Sequence, residues 1–269
     1  AAAAFIIMEP EDTPPMSGSN SICVATVLLD HGIIKMKEPF TEFFLEAPGG
    51  LVKVRASCKN GKAKRIFIQN LPSFAFKLDT ILELEGFGTI SADTAFGGDS
   101  FVMVDAQKLG FAIEPSEAAD LARLGAKITD AATEQIGFHH PVISDWEHYS
   151  FCQFSSMENF AEDCITFKSA VSVKPGKIDR SPTGTALSAK MAVLEARKEL
   201  DVGQIVKAIS IIGSTFEGRI VGKCQVKETP AIIPEISGRA WITGIHQHML
   251  EPSDPWPEGY QLSDTWGVN

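Results

Sequence analysis

The chain reads as an α+β protein of two pseudo-symmetric lobes, each a mixed sheet or barrel wrapped on a central helix. A short device (hydroxyl residue, glycine, hydroxyl residue) stands directly before a helical pattern twice, at Ser17-Gly18-Ser19 and Thr183-Gly184-Thr185, which points to an internal duplication. The Val-, Ile- and Phe-rich runs between the helices do not alternate with them one for one, which disfavours a doubly wound parallel sheet. With 269 residues, 44% of them hydrophobic, the chain is long enough to bury two cores. The expected lobes are residues 1–90 and 91–244. The run Ala1–Ala4 reads as truncated or unassigned chain, so an N-terminal part of the first lobe is expected to be missing, and residues from about 245 to 269 are expected to complete that lobe.

The first helix is expected from Ser19 to about Asp30, because Ile22–Leu29 is apolar and Gly32 stops it. From Ile33 to Ile90, short apolar runs broken by turn residues read as strands. Pro48-Gly49-Gly50 is one turn. Asn60-Gly61 is a hairpin signal joining Leu51–Ser57 to Ala63–Gln69. A further β stretch covers Gly88–Ala106, interrupted by Gly97-Gly98-Asp99. Ser116 opens a helical pattern to about Gln135, with Leu121, Leu124, Ile128 and Ala132 on one face and the acid Glu117 in the first turn. Strands at Tyr149–Ser155 and Cys164–Val173 precede a second buried helix, Thr185 to about Leu200. Strands return over Ile205–Val226, with Gly213 and Gly218 as breaks. The tail from Glu235 becomes rich in Pro, Asp and Trp and is expected to be ordered only where it packs on the body.

Composition narrows the function. A net charge of −10, with no Lys/Arg run beyond the scatter around Lys62–Arg65, argues against nucleic acid as a partner. No apolar stretch reaches membrane-spanning length and no signal peptide is readable. The cysteines number five, an odd count, and none stand at the close spacing of a zinc or redox motif. Free thiols in a reduced, cytoplasmic setting are the expectation.

A helix N-terminus offers unpaired N–H groups and the positive end of a dipole, and glycine there lets a small anion approach the backbone. If the two duplicated ends face each other, they hold one carboxylate ligand between Ser17 and Thr183. Both residues also read as plain N-caps. Asp179 reads as a helix-dipole acid or a ligand contact, and Asp99 as part of a turn or of the site. His246 and His248 fall on the same side of a strand-like run, but no third ligand is evident and no metal site is expected. His139-His140-Pro141 reads as a loop. Phe151, Phe154 and Phe160 read as core or interface, or as an aromatic wall beside a ligand ring. A hydrolase built on Ser17 has no support, since no Gly-x-Ser-x-Gly surrounds it and no histidine sits in a triad context.

Asp179-Arg180-Ser181-Pro182-Thr183-Gly184-Thr185 closely resembles the second signature of the proline racemase family, and Met16-Ser17-Gly18-Ser19-Asn20-Ser21-Ile22 resembles the first. Gly97-Gly98-Asp99-Ser100-Phe101, the stretch from Pro234 to Gly244 and the stretch from Asp254 to Gly259 extend the similarity over nearly the whole chain. The resemblance implies the diaminopimelate epimerase fold, with two helix N-termini meeting at an interlobe cleft. It also implies proline racemase, hydroxyproline 2-epimerase or trans-3-hydroxyproline dehydratase chemistry with no cofactor, and commonly a homodimer. By the same resemblance Ser17 and Thr183 lie on opposite faces of the α-carbon. Gly18, Ser19, Gly184 and Thr185 give N–H groups to the ligand carboxylate, and Asp179 contacts the ring nitrogen.

The departure from the family pattern bears on the chemistry. In the racemases each signature supplies a cysteine, one removing the α-proton and the other delivering one. Here the matching positions are Ser17 and Thr183, and Ser19 stands where a histidine is usual. An alcohol resists ionisation far more than a thiol and needs a neighbouring base. Racemase and epimerase activity is therefore expected to be very weak or absent. Family dehydratases pair threonine at the second position with cysteine at the first, so Thr183 matches half of that pattern. The expected protein is a binder of a proline- or hydroxyproline-type imino acid, either a lyase of the dehydratase kind or an inactive binding or sensing relative.

Overall fold

A computed structural model describes residues 1–8, 13–161, 163–174 and 176–259. Residues 260–269 of the segment expected to complete the first lobe lie outside these.

A two-residue strand, β1 (Ala3–Ala4), precedes helix α1 (Gly18–Asp30). Ile22, Ala25 and Leu29 recur at helical spacing and are buried; Gly32, at φ +70°, ends the run. Strands β2 (Phe40–Ala47), β3 (Gly50–Lys59) and β4 (Lys62–Gln69) form an antiparallel meander. Their inward residues, among them Leu45, Val52, Val54, Ile66 and Ile68, alternate with residues facing out. Asn60 and Gly61 turn the β3–β4 hairpin with φ of 57° and 67°, the positive pair that a two-residue turn demands.

Strands β5 (Phe74–Leu84), β6 (Gly88–Phe96) and β7 (Ser100–Asp105) follow, then helix α2 (Ala118–Gln135). Its entry differs from the expected Ser116 cap. Pro115–Glu117 forms a 3-10 turn, and Glu114 and Glu117 make a reciprocal capping box in which the Glu117 carboxylate accepts the Glu114 N–H at 2.9 Å. Strands β8 (Phe151–Phe160), β9 (Cys164–Val173) and β10 (Lys177–Ile178) lead into α3 (Gly184–Ala196). Helix α3 stops short of the expected Leu200, because Lys198 takes φ +61° and the Glu199 N–H closes back on the Leu194 carbonyl at 2.8 Å.

Strands β11 (Ile205–Ser210), β12 (Thr215–Val226) and β13 (Thr229–Gly238) complete the order. Gly218 does not break a strand as expected. It lies inside β12, where a Cβ would stand 2.8 Å from Met191 Cε, so the glycine makes room for α3. The tail begins later than Glu235, since Glu235–Gly238 is the end of β13. Pro234 is tolerated there because it pairs with Ile220 beside an irregularity in β12. From residue 239 to 259 the chain carries no regular structure, with Trp241, Ile245, Met249, Leu250 and Trp256 exposed. His246 and His248 are therefore not on a strand; their rings stack at 6.3 Å on the surface.

The strands join in one hydrogen-bonded path, β1-β2-β3-β4-β13-β12-β11-β9-β8-β7-β6-β5, with β10 on β9. The pairs β1–β2, β9–β11 and β7–β8 are parallel and the rest antiparallel, so the sheet is mixed. Helix α1 lies on β4 and β13, and α2 lies on β5, β8 and β9. Helix α3 is enclosed on nearly all sides, with Gly184–Ala189 and Met191–Leu194 buried and only Lys190, Glu195 and Ala196 partly or wholly exposed. Leu187, Met191 and Leu194 join the core of α1 and the β2–β4 meander, while Ala186, Ala189 and Val193 pack on Phe101, Met103 and Val171. Enclosure of α3 fixes where its N-terminus emerges.

Candidate active site

Helices α1 and α3 meet N-terminus to N-terminus. A Cβ on Gly18 would stand 2.8 Å from Gly184 Cα and 2.5 Å from Ile236 Cδ1; one on Gly184 would stand 2.9 Å from Gly18 Cα and 2.4 Å from Ile236 Cδ1. An approaching anion is one reason for glycine at such positions, and the contact between the two backbones is another. Next to this contact opens a cleft of about 370 Å³, within the range of small-molecule sites. Ser17, Ser19 and Asn20 line it from α1, and Asp179, Thr183 and Thr185 from α3 and its approach. The convergence of Ser17 and Thr183 is thus a property of the fold.

The two hydroxyls are held differently. Ser17 has an extended backbone and caps α1 weakly: its Oγ accepts the Asn20 N–H at 3.4 Å and Asn20 Nδ2–H at 2.9 Å, with Ser19 Oγ at 3.4 Å. Thr183 sits at φ +58°, ψ +101°, a conformation costly for a β-branched residue, and its side chain does not cap α3. Its Oγ1 instead donates to Asp179 Oδ2 at 2.6 Å. Ser181 secures the same carboxylate, its N–H donating to Oδ1 at 2.8 Å and its hydroxyl to Oδ2 at 3.0 Å. The plain N-cap reading fits Ser17 in part and does not fit Thr183.

The first-turn N–H groups of both helices, those of Gly18, Ser19, Gly184 and Thr185 included, have no intrahelical acceptor to satisfy. Two positive dipole ends therefore converge beside the cleft. Asp99 also lines it, nearly fully buried, its Oδ1 accepting the Ser100 N–H at 2.7 Å. The Gly97-Gly98 turn wedges Asp99 against α3, since a Cβ on Gly97 would stand 2.1 Å from the Thr185 carbonyl oxygen and 2.4 Å from Ala189 N. Met16, Phe151, Val173 and Ile178 supply an apolar wall, and Lys177 and Arg180 add cationic side chains. Phe154 lies in the α2 core instead, and Phe160 is exposed.

The polar positions proposed from the sequence as ligand contacts, Ser17, Ser19, Asp99, Asp179, Thr183 and Thr185, border this cleft; Gly18 and Gly184 form the contact behind it. Asn20, Met16, Val173 and Ile178 were not anticipated. Asn20 stands three residues past Ser17, the spacing from which a side chain reaches back to an N-cap, so that signal was present. Val173 reaches the wall only because β8 and β9 pair it with Phe151, which no local pattern reveals. Among the described residues no group of three or more His, Cys, Asp or Glu is placed to hold a metal ion. No helix among them is long and apolar enough to cross a membrane.

Known proteins match the chain along its length. The family model described as proline racemase covers residues 1–261. A probable proline racemase from Agrobacterium radiobacter K84, solved with bound carbonate, shares 37% identity at a TM-score of 0.90 over 98% of this chain and 77% of its own. A hydroxyproline epimerase from Agrobacterium vitis, solved with bound trans-4-hydroxy-L-proline, shares 38% identity at a TM-score of 0.91 over 98% of this chain and 75% of its own. A Bacillus anthracis phenazine biosynthesis protein of the PhzF family, at 12% identity and a TM-score of 0.54, shares the fold alone.

Proposed function

Because the chain belongs to the proline racemase family, we propose that its cleft binds a proline- or hydroxyproline-type imino acid, with the carboxylate at the paired helix N-termini. The observation that carries this reading is the contact of Gly18 with Gly184, which aims two sets of first-turn N–H groups at one small volume flanked by two hydroxyls. The ligands of the two Agrobacterium structures, carbonate and trans-4-hydroxy-L-proline, are of the class this geometry suits.

Ser17 and Thr183 stand on this reading where racemases carry their cysteines, on opposite faces of the α-carbon, so racemisation by two thiols is not available to the cleft. A lyase reaction such as dehydration of trans-3-hydroxyproline is the activity we favour, because Thr183 matches the threonine that family dehydratases carry at the second position, although Ser17 replaces their cysteine at the first. A catalytically silent binding or sensing protein, or a residual hydroxyproline 2-epimerase, are the competing readings. A cytoplasmic homodimer, with the chain divided at residues 1–90 and 91–244, belongs to the same proposal. Titration with the isomers of proline and hydroxyproline, followed by product analysis, tests it. Binding with water release from one hydroxyproline supports the lyase, and binding without turnover supports the sensor. Failure of every isomer to bind removes the imino-acid reading.

A further inference from the structure

We propose that Thr183 and Asp179 form a relay that carries out both proton transfers of a dehydration on one face of the ligand, leaving Ser17 outside the proton path. The proposal rests on the imino-acid reading of the cleft. It starts from the way each hydroxyl is committed. The Thr183 hydrogen points at Asp179 Oδ2 over 2.6 Å, a length typical of a hydroxyl on a carboxylate, so the lone pairs of Thr183 Oγ1 are left to accept from the cleft that the residue lines. Ser17 is committed the opposite way. Asn20 donates to its Oγ from Nδ2 at 2.9 Å and weakly from the backbone N–H at 3.4 Å, and no carboxylate among the described residues accepts its hydrogen, so Ser17 lacks the base that Thr183 has.

Two further features show that the Thr183–Asp179 contact is built rather than incidental. Thr183 takes a left-handed backbone conformation, costly for a β-branched residue, and forgoes capping α3, which orients its hydroxyl on Asp179. Both oxygens of Asp179 are pinned by Ser181, so the carboxylate cannot turn away. The Asp179 carboxylate is placed to receive the proton that Thr183 gives up, and the helix N-termini stabilise the charge that develops on the substrate carboxylate.

The step balances within the dyad. In a 3-hydroxy imino acid whose hydroxyl is trans to its carboxylate, the Cα hydrogen and the C3 hydroxyl lie on the same ring face. The Cα–H bond breaks and its proton moves to Thr183 Oγ1 while the Thr183 hydroxyl proton moves to Asp179 Oδ2. The C–H electron pair becomes the Cα–C3 double bond and the C3–O bond breaks. The departing hydroxyl takes the proton back from Asp179 through Thr183 and leaves as water. Dyad and Ser17 end as they began, and the enamine tautomerises to the cyclic imine without any oxidant. In the cis isomer the hydroxyl lies on the far face, beyond the dyad, so the relay dictates trans selectivity.

The test uses the full chain, following cis- and trans-3-hydroxyproline by NMR for turnover and pyrrole-2-carboxylate by calorimetry for binding. Asp179→Asn keeps the shape of the contact, since the Thr183 and Ser181 hydroxyls can rotate to accept, but it cannot store a proton. Thr183→Val keeps the β-branch and removes the relay, and Thr183→Ser restores it. The wild type is expected to turn over trans at least about 100-fold faster than cis. The Asn and Val variants are expected to lose kcat by about 10²-fold or more while still binding pyrrole-2-carboxylate, with Ser recovering most of it. Comparable turnover of the cis isomer overturns the relay, as does an Asp179→Asn variant with undiminished kcat. So does a wild type that binds pyrrole-2-carboxylate yet dehydrates neither isomer, an outcome that leaves the binding reading intact. A wild type that binds no imino acid sinks both.

Discussion

Replacing Gly184 by alanine probes the contact on which the site depends. The added Cβ would stand 2.9 Å from Gly18 Cα and 2.4 Å from Ile236 Cδ1. Ordinary carbon–carbon contact begins near 3.5 Å, so the backbone neighbour alone demands a separation of about 0.6 Å. The Ile236 methyl can swing aside, but the backbone of α1 cannot, and the two helix ends must move apart. Overpacking of this kind costs about 1–3 kcal/mol, and a chain of this size loses about 2–4 °C of Tm per kcal/mol, so a fall of roughly 2–12 °C is expected. Ligand binding should suffer out of proportion, because half an ångström between two converging donors spoils a geometry that both must satisfy. Thermal unfolding and calorimetric titration of pyrrole-2-carboxylate measure the two effects. Adding Ile236→Val removes the Cδ1 clash and should recover part of the stability, while the backbone clash keeps binding weak. A Gly184→Ala protein as stable as its parent and equally tight for the ligand would falsify the claim that the helix ends touch.

Three further outcomes follow from other parts of the structure. The His140 ring is buried beside Phe96 and accepts the N–H groups of Val142 and Ile143 on Nδ1; burial, with His139 and Lys227 adding to it, pushes its pKa down to about 4 from 6.5. The unfolded chain then holds the extra proton between those values, so stability is intact above pH 6.5 and drains by about 3 kcal/mol as pH falls toward 4. Urea midpoints across this window should show the slope, and His140→Gln should flatten it. Gly97→Ala places a Cβ 2.1 Å from the Thr185 carbonyl and 2.4 Å from Ala189 N, both backbone atoms, so it should cost about 3 kcal/mol or more and be visible as lost soluble yield or a sharply lower Tm. The double substitution Ser17→Cys, Thr183→Cys should gain α-proton exchange and racemisation of proline or hydroxyproline, read by polarimetry; a well-folded double variant that binds ligand but never racemises contradicts the assignment of opposite faces.

Much of this protein was legible before its tertiary structure. The hydroxyl–glycine–hydroxyl device, the Asn60-Gly61 hairpin, the Leu121–Ala132 stripe of α2 and the signature around Asp179 are local: backbone conformations and short periodicities that a few neighbouring residues fix. They sufficed for the α+β class, the approximate positions of the helices and the hydroxyl and carboxylate groups of the cleft, but not for its Asn20 or its apolar wall. Where the reading failed, a distant contact had overridden local preference. Gly218 looked like a strand break and is instead a seat for Met191. Pro230 and Pro234 disguised β13, whose place beside β4 and β12 is set by partners far away in sequence.

The sequence determined which groups the site would contain; only the tertiary structure decided how they act on one another. Enclosure of α3 between two layers of core fixes its N-terminus against that of α1, and the two glycines are needed because the backbones touch. The same placement turns Thr183 away from its helix and onto Asp179, while leaving Ser17 under the amide of Asn20. The two copies of one motif are thereby made unequal. Hydrogen-bond direction depends on the position of each partner to within a few tenths of an ångström, and that information resides in the packing.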